Sequence, residues 1–127
     1  MGIGSVKKNN IVFEKSKAFA LRIVLLYKHF SEKKNERVLS KQLLRSGTSI
    51  GANLSEAICA VSRADFLNKV HIAYKECNET RYWLALLKES GYLTEKQYKS
   101  IIQDADELFF LLAAITKSTK DGKGREA

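Results

Sequence analysis

The sequence predicts an all-α chain folded as an up-down-up-down antiparallel four-helix bundle. Three observations carry that expectation. None of the 127 residues is proline, so long helices can run without a kink. Two long segments hold a 4-3-4-3-4-3 spacing of apolar and small residues, the seam of coiled-coil-like packing. The segments are joined by short polar connections, which make sequential neighbours antiparallel.

The first helix is expected from about Ile11 to Phe30. Its stretch Ala18–Tyr27 is apolar nearly all round, interrupted by Arg22. A surface helix carries one apolar stripe about 100° wide, so this helix needs cover on a second side, best supplied by another subunit. A charged linker, Ser31–Arg37, follows, with Asn35 as N-cap of a second helix from Glu36 to Val61. Leu39, Leu43, Ser46, Ile50, Asn53, Ala57 and Ala60 form its seam. Gly47 and Gly51 lie on one face of it. Each costs roughly 1 kcal/mol relative to alanine, which close approach of another backbone, within the bundle or between subunits, would offset.

Ser62-Arg-Ala-Asp65 resembles a capping box, with Val61 and Phe66 as its hydrophobic staple. The third helix then runs from about Ala64 to Ser90, with Phe66, Val70, Ala73, Cys77, Thr80, Leu84 and Leu87 as its seam. A second row holds Ile72, Glu76, Glu79, Trp83 and Leu86. Gly91 fits the position just past its C-terminus. Thr94-Glu-Lys-Gln97 is a capping box with Leu93 and Tyr98 as staple, and the fourth helix continues to about Lys117. Tyr98, Ile101, Ala105, Leu108, Leu112 and Ile115 mark its core face. Residues 11–117 are thus expected to form one bundle domain, flanked by a flexible segment at 1–10 and a disordered basic tail at 118–127.

Composition narrows the function. A hydrophobic content of 45% is too high for a disordered chain. Residues 1–10 do not read as a signal peptide, and no apolar run reaches the roughly 20 residues of a membrane span. A cytoplasmic protein without membrane contact is expected. Cys59 and Cys77 sit in apolar helical patterns and read as buried free thiols.

Catalytic patterns are missing. His29 and His71 lie in different helices, and there is no Cys-x-x-Cys, His-Glu-x-x-His or Glu-x-x-His. Glu76 and Glu79 alone are weak metal ligands. No Gly-x-Ser-x-Gly elbow occurs, and Ser46–Gly51 lacks the Lys-Ser/Thr ending of a phosphate loop. No enzymatic activity, cofactor, metal or small-molecule substrate is expected. Polar residues at half-buried positions instead suggest one structural cluster of Arg45, Asn53, Glu56, Glu76 and Glu79, since buried charge must be paired.

Charge placement points to a partner. Residues 1–63 hold 12 Lys/Arg against 4 Asp/Glu and so carry the whole net charge of +8, while residues 64–127 hold ten of each. Lys28, Lys33, Lys34, Arg37, Lys41 and Arg45 crowd the first hairpin. Such clusters contact phosphates without reading sequence, making them candidate nucleic-acid contacts.

The run Gln42–Glu56, with Arg-Ser-x-x-Ser-Ile-x-x-Asn-x-x-Glu over Arg45–Glu56, followed by Asp65-Phe66 and Ala73–Leu84, resembles the bacterial four helix bundle proteins. These are the intervening-sequence proteins of large-subunit ribosomal RNA. The resemblance spans about residues 11–117. It implies a ring-forming homo-oligomer, commonly a homopentamer, and a fold similar to the accessory variability proteins of diversity-generating retroelements. By resemblance, RNA or a reverse-transcriptase-like partner is expected on a basic surface, with a protein scaffold that binds no nucleic acid as the alternative. Matching the motif marks Arg45, Ser46, Ser49, Asn53 and Glu56 as structural signature residues.

Overall fold

In the computed structural model, which describes residues 3–126 and the side chains of residues 11–117, four helices account for nearly the whole chain. They are α1 (Ile3–His29), α2 (Leu39–Ile58), α3 (Arg63–Glu89) and α4 (Glu95–Glu126), with a π-helical turn, Phe30–Lys34, continuing α1. There is no strand among the described residues, and the architecture is that of a four-helix bundle. Each helix packs on the next, and α4 closes onto α1. The flexible segment expected at 1–10 and the tail expected at 118–127 fall outside the residues whose side chains are described.

The core follows the expected seams. Leu43, Ile50 and Ala57 of α2 are buried, as are Val70, Ala73, Cys77, Leu84 and Leu87 of α3 and Ile101, Ala105, Leu108 and Leu112 of α4. α1 adds Val12, Phe19 and Ile23, with Phe30 from the π-turn. Among the buried hydroxyls, those of Ser46 and Thr80 meet between α2 and α3. Thr80 Oγ1 donates to Ser46 Oγ (3.0 Å) or to the Glu76 carbonyl (2.8 Å), so the polar atoms find partners, as burial requires.

The glycines of α2 face α1. A Cβ on Gly47 would meet Ile23 Cγ1 and Cγ2 at 2.9 Å, and one on Gly51 would meet Ser16 Oγ at 3.3 Å. The close approach is therefore made inside the chain, by the Ile23 side chain at Gly47 rather than by the backbone that the sequence suggested, and by Ser16 side chain and backbone at Gly51.

Helix ends follow local chemistry. The Asp65 amide donates to Ser62 Oγ (3.1 Å), and the Val61 amide donates to Asp65 Oδ2 (3.3 Å). Val61 itself is 93% exposed, so no staple forms with Phe66, which packs on the core alone. α3 closes through Gly91 at φ +88°, with the Tyr92 and Leu93 amides donating to the Leu87 carbonyl. The Thr94–Gln97 box is reciprocal, at 3.0 and 3.1 Å. α2 stops at Ile58, short of Val61.

Gly47→Ala should lower the unfolding free energy in urea by about 1–3 kcal/mol through overpacking, despite the roughly 1 kcal/mol gained in helix propensity. Gly51→Ala, with a looser neighbour, should lose less. Equal stability of Gly47→Ala and the parent would contradict so tight a contact.

Candidate nucleic-acid interface

The reversal between α1 and α2 is built on two residues. Asn35 takes a left-handed conformation (φ 52°, ψ 33°), and its amide donates to the Phe30 carbonyl. It thus ends the first helical run, whereas the sequence suggested it as the N-cap of the second. Asparagine is among the few L-residues that tolerate this conformation. The capping is done by Glu36. Its Oε1 accepts the Val38 amide (3.0 Å) and the Leu39 amide (2.8 Å), and its Oε2 accepts that of Ser40 (2.9 Å). The Ser40 hydroxyl donates back to the Glu36 carbonyl at 3.0 Å. A carboxylate at a helix N-terminus also meets the positive end of the helix dipole. Burial pushes the Glu36 carboxyl up, but the amides of Leu39, Ser40 and Val38 outweigh it, so its pKa lies below the ordinary 4.5.

Cations flank Glu36 along the chain. Lys28 ends α1, Lys33 and Lys34 sit on the π-turn, Arg37 is in the connection and Lys41 lies in the first turns of α2. All five are exposed, and among the described residues none of them forms an ion pair. Arg37 is steadied by hydrogen bonds to Asn35 Oδ1 (3.3 Å) and the Ser31 carbonyl (3.4 Å).

Arg45 behaves differently. Its guanidinium reaches across to α3, pairing with Glu76 at 3.2 Å and with Glu79. Trp83 Nε1 donates to the same Glu79 oxygen at 2.9 Å. That indole hydrogen bond, with Arg45 beside it, holds the Glu79 carboxyl below its usual range against the effect of burial. Trp83 was absent from the cluster read in the sequence, although its i,i+4 spacing from Glu79 was there to be used. Asn53 and Glu56 do not join it. Asn53 Nδ2 donates to the Ser49 carbonyl within α2 (2.8 Å), and Glu56 faces Lys69 at 3.6 Å. The five residues therefore divide into a three-residue knot and two separate local contacts.

The profile of the family described as 23S rRNA-intervening sequence protein matches residues 8–114. The chain belongs to that family. It is also similar to a solved protein of unknown function from the S23 ribosomal protein family of Bacteroides thetaiotaomicron. The two share 56% identity and a TM-score of 0.85, covering 87% of this chain and 98% of the other. No curated protein matches. Neither the intervening-sequence family nor the solved relative is described as an enzyme.

In this family member the cysteines differ from one another. Cys77 is buried, its Sγ donates to the Ala105 carbonyl at 3.4 Å, and burial pushes its thiol up to about 12. Cys59 is exposed, contrary to the sequence expectation, because α2 ends one residue before it. Among the described residues no group of three His, Cys, Asp or Glu converges in the way a metal site requires, and no helix is long and apolar enough to cross a membrane.

Glu36→Ala should cost about 1–2 kcal/mol in urea unfolding, as loss of a strong cap does. Because the folded pKa is depressed, the contribution of Glu36 is full above 4.5 and is lost as pH falls through the lower folded value. Glu36→Gln should therefore flatten the acid limb of the stability curve. An unchanged limb would remove Glu36 from the acid response.

Proposed function

We propose that this chain is a non-enzymatic, homo-oligomeric four-helix bundle that binds structured RNA through the corner formed by Lys28, Lys33, Lys34, Arg37 and Lys41. The carrying observation is that these cations are exposed and, among the described residues, without ion pairs, whereas Lys15, Arg22, Arg45, Lys69, Arg81 and Lys88 face carboxylates. Unpaired cations release counterions from phosphates on binding. Paired ones must first give up a partner, so Arg45 contributes little. Ribosomal RNA is the nucleic acid that the family description names, which supports RNA over DNA as the ligand.

The up-down-up-down course is supported by the order of the α1–α4 pairs. Lys15 meets Glu107 and, further along α1, Arg22 meets the earlier Asp104. Assembly is supported by the outer face of α1, where Ile11, Leu21, Val24 and Leu25 are 49%, 59%, 37% and 64% exposed. Leu21, Val24 and Leu25 share a face at i, i+3 and i+4 spacing, and exposed apolar surface of this kind marks an interaction site. The resemblance suggests a ring of five. The same apolar face favours a second reading, a protein assembly module whose partner is a reverse-transcriptase-like or other protein. A cytoplasmic location accords with an RNA ligand.

In filter binding to a ribosomal RNA hairpin, affinity should fall log-linearly with salt, by about 0.9 per neutralised phosphate. Lys33→Glu with Lys34→Glu should weaken binding at least about tenfold and flatten the slope, while Arg45→Ala changes it little. Absence of affinity at low salt would sink the RNA reading. Light scattering at micromolar concentration tests assembly: the parent should exceed one chain, and Leu21→Glu with Leu25→Glu should reduce it. A monomeric parent refutes the ring.

A further inference from the structure

A groove of about 450 Å³ opens between the C-terminal half of α1 and the start of α4, within the roughly 300–1,000 Å³ typical of small-ligand sites. Its buried lining is aliphatic, from Leu26 on one side and Leu93 and Ile101 on the other. Its rim carries hydrogen-bonding groups: His29 from the last turn of α1, then Lys96, Gln97 and Ser100. The groove and the cationic corner share one end of the bundle. His29 borders the π-turn, and Phe30 of that turn meets Tyr92 of the α3–α4 connection edge to face, with centroids 6.4 Å apart.

We infer that this groove seats one unpaired nucleotide of the RNA held on the neighbouring lysines. The inference rests on the RNA reading above and adds to it the kind of RNA bound. An aliphatic floor receives the flat face of a base, and the His29 ring stands at its edge. Lys96 is exposed and, among the described residues, forms no ion pair, which suits the phosphate. Gln97 uses its Oε1 to accept the Thr94 amide, leaving its amide nitrogen to donate to a base edge. Arg22 closes one wall and is itself held by Asp104 (2.6 Å) and Ser100 Oγ (2.9 Å), so it shapes the groove rather than supplying free charge. A paired base within a duplex cannot enter. Single-stranded loops and bulges can, since their bases splay out.

The test uses the full-length protein and two RNA hairpins, identical except that one carries a single bulged 2-aminopurine. The bulged hairpin should bind about tenfold tighter, the order of one or two net hydrogen bonds from Lys96 and Gln97, with a change in 2-aminopurine fluorescence. Lys96→Ala and Gln97→Glu should each bring the bulged hairpin toward the affinity of the perfect one. Glutamate at 97 keeps the capping box, so the fold is preserved, and the ratio between the two hairpins cancels its general repulsion of RNA. Lys33→Glu with Lys34→Glu should weaken both hairpins alike. Equal binding of the two, unmoved by either groove variant, overturns the nucleotide site while leaving the corner in place; that is also the outcome if the groove takes apolar side chains of a protein. Failure of both hairpins to bind at low salt overturns the corner as well.

Discussion

The buried carboxylate of Glu36 fixes the reversal between α1 and α2, and much of the remaining architecture depends on it. An α-helix begins with backbone amides that have no partner inside the helix. Glu36 takes three of these, those of Val38, Leu39 and Ser40. With Asn35 closing the preceding run in a left-handed conformation, the chain turns within a few residues. That short turn brings α2 back along α1 closely enough for Gly47 to meet Ile23. It also explains how several cations can crowd one corner. Glu36 itself, with its oxygens taken by these amides, forms no ion pair with those cations among the described residues.

The distribution of charge follows from which helices meet. Residues 64–127 carry as many acids as bases, and residues 1–63 carry the excess. Where α1 packs on α4, Lys15 and Arg22 find Glu107 and Asp104. Where α2 packs on α3, Arg45 finds Glu76 and Glu79. The corner of Lys28, Lys33, Lys34, Arg37 and Lys41 forms no ion pair with α3 or α4 among the described residues. Such surface pairs contribute only about 0–1 kcal/mol each to stability, so their larger consequence is for binding: they remove cations from the available field and leave the corner as its source.

The core was legible in the sequence because a 4-3 spacing maps directly onto one helix face. Leu43, Ile50, Val70, Ala73, Leu84, Leu108 and Leu112 are all buried, and the Thr94–Gln97 box was readable because both of its halves lie within four residues. What failed was whatever depended on register between elements or on one residue at a boundary. Asn35 is a good cap by type, yet a neighbouring carboxylate with a longer reach satisfied the same amides. Cys59 continued an apolar pattern, but the helix stopped at Ile58. Asn53 and Glu56 share helix two with Arg45, while α3 places its carboxylates opposite Arg45 alone. Charge counting set Arg45 among the cations of the hairpin, whereas the polar-cluster reading set it with Glu76 and Glu79, 31 and 34 residues away, with which it pairs.

The apolar face of α1 adjoins the cationic corner, which begins at Lys28 of α1 and continues through the π-turn to Lys41 of α2, and this adjacency bears on how the two proposed properties combine. A single corner with five cations gives a shallow, salt-sensitive affinity with no sequence preference. Assembly through the outer face of α1 would repeat that corner at fixed separations. Linked sites convert later contacts into intramolecular ones, raising overall affinity without any new kind of contact, but only for a ligand that can reach several sites at once. A folded RNA has defined distances between its phosphates, whereas a short single strand cannot span rigidly spaced corners. Selectivity for structured RNA would then arise from geometry between subunits, even though no side chain of the corner reads a base.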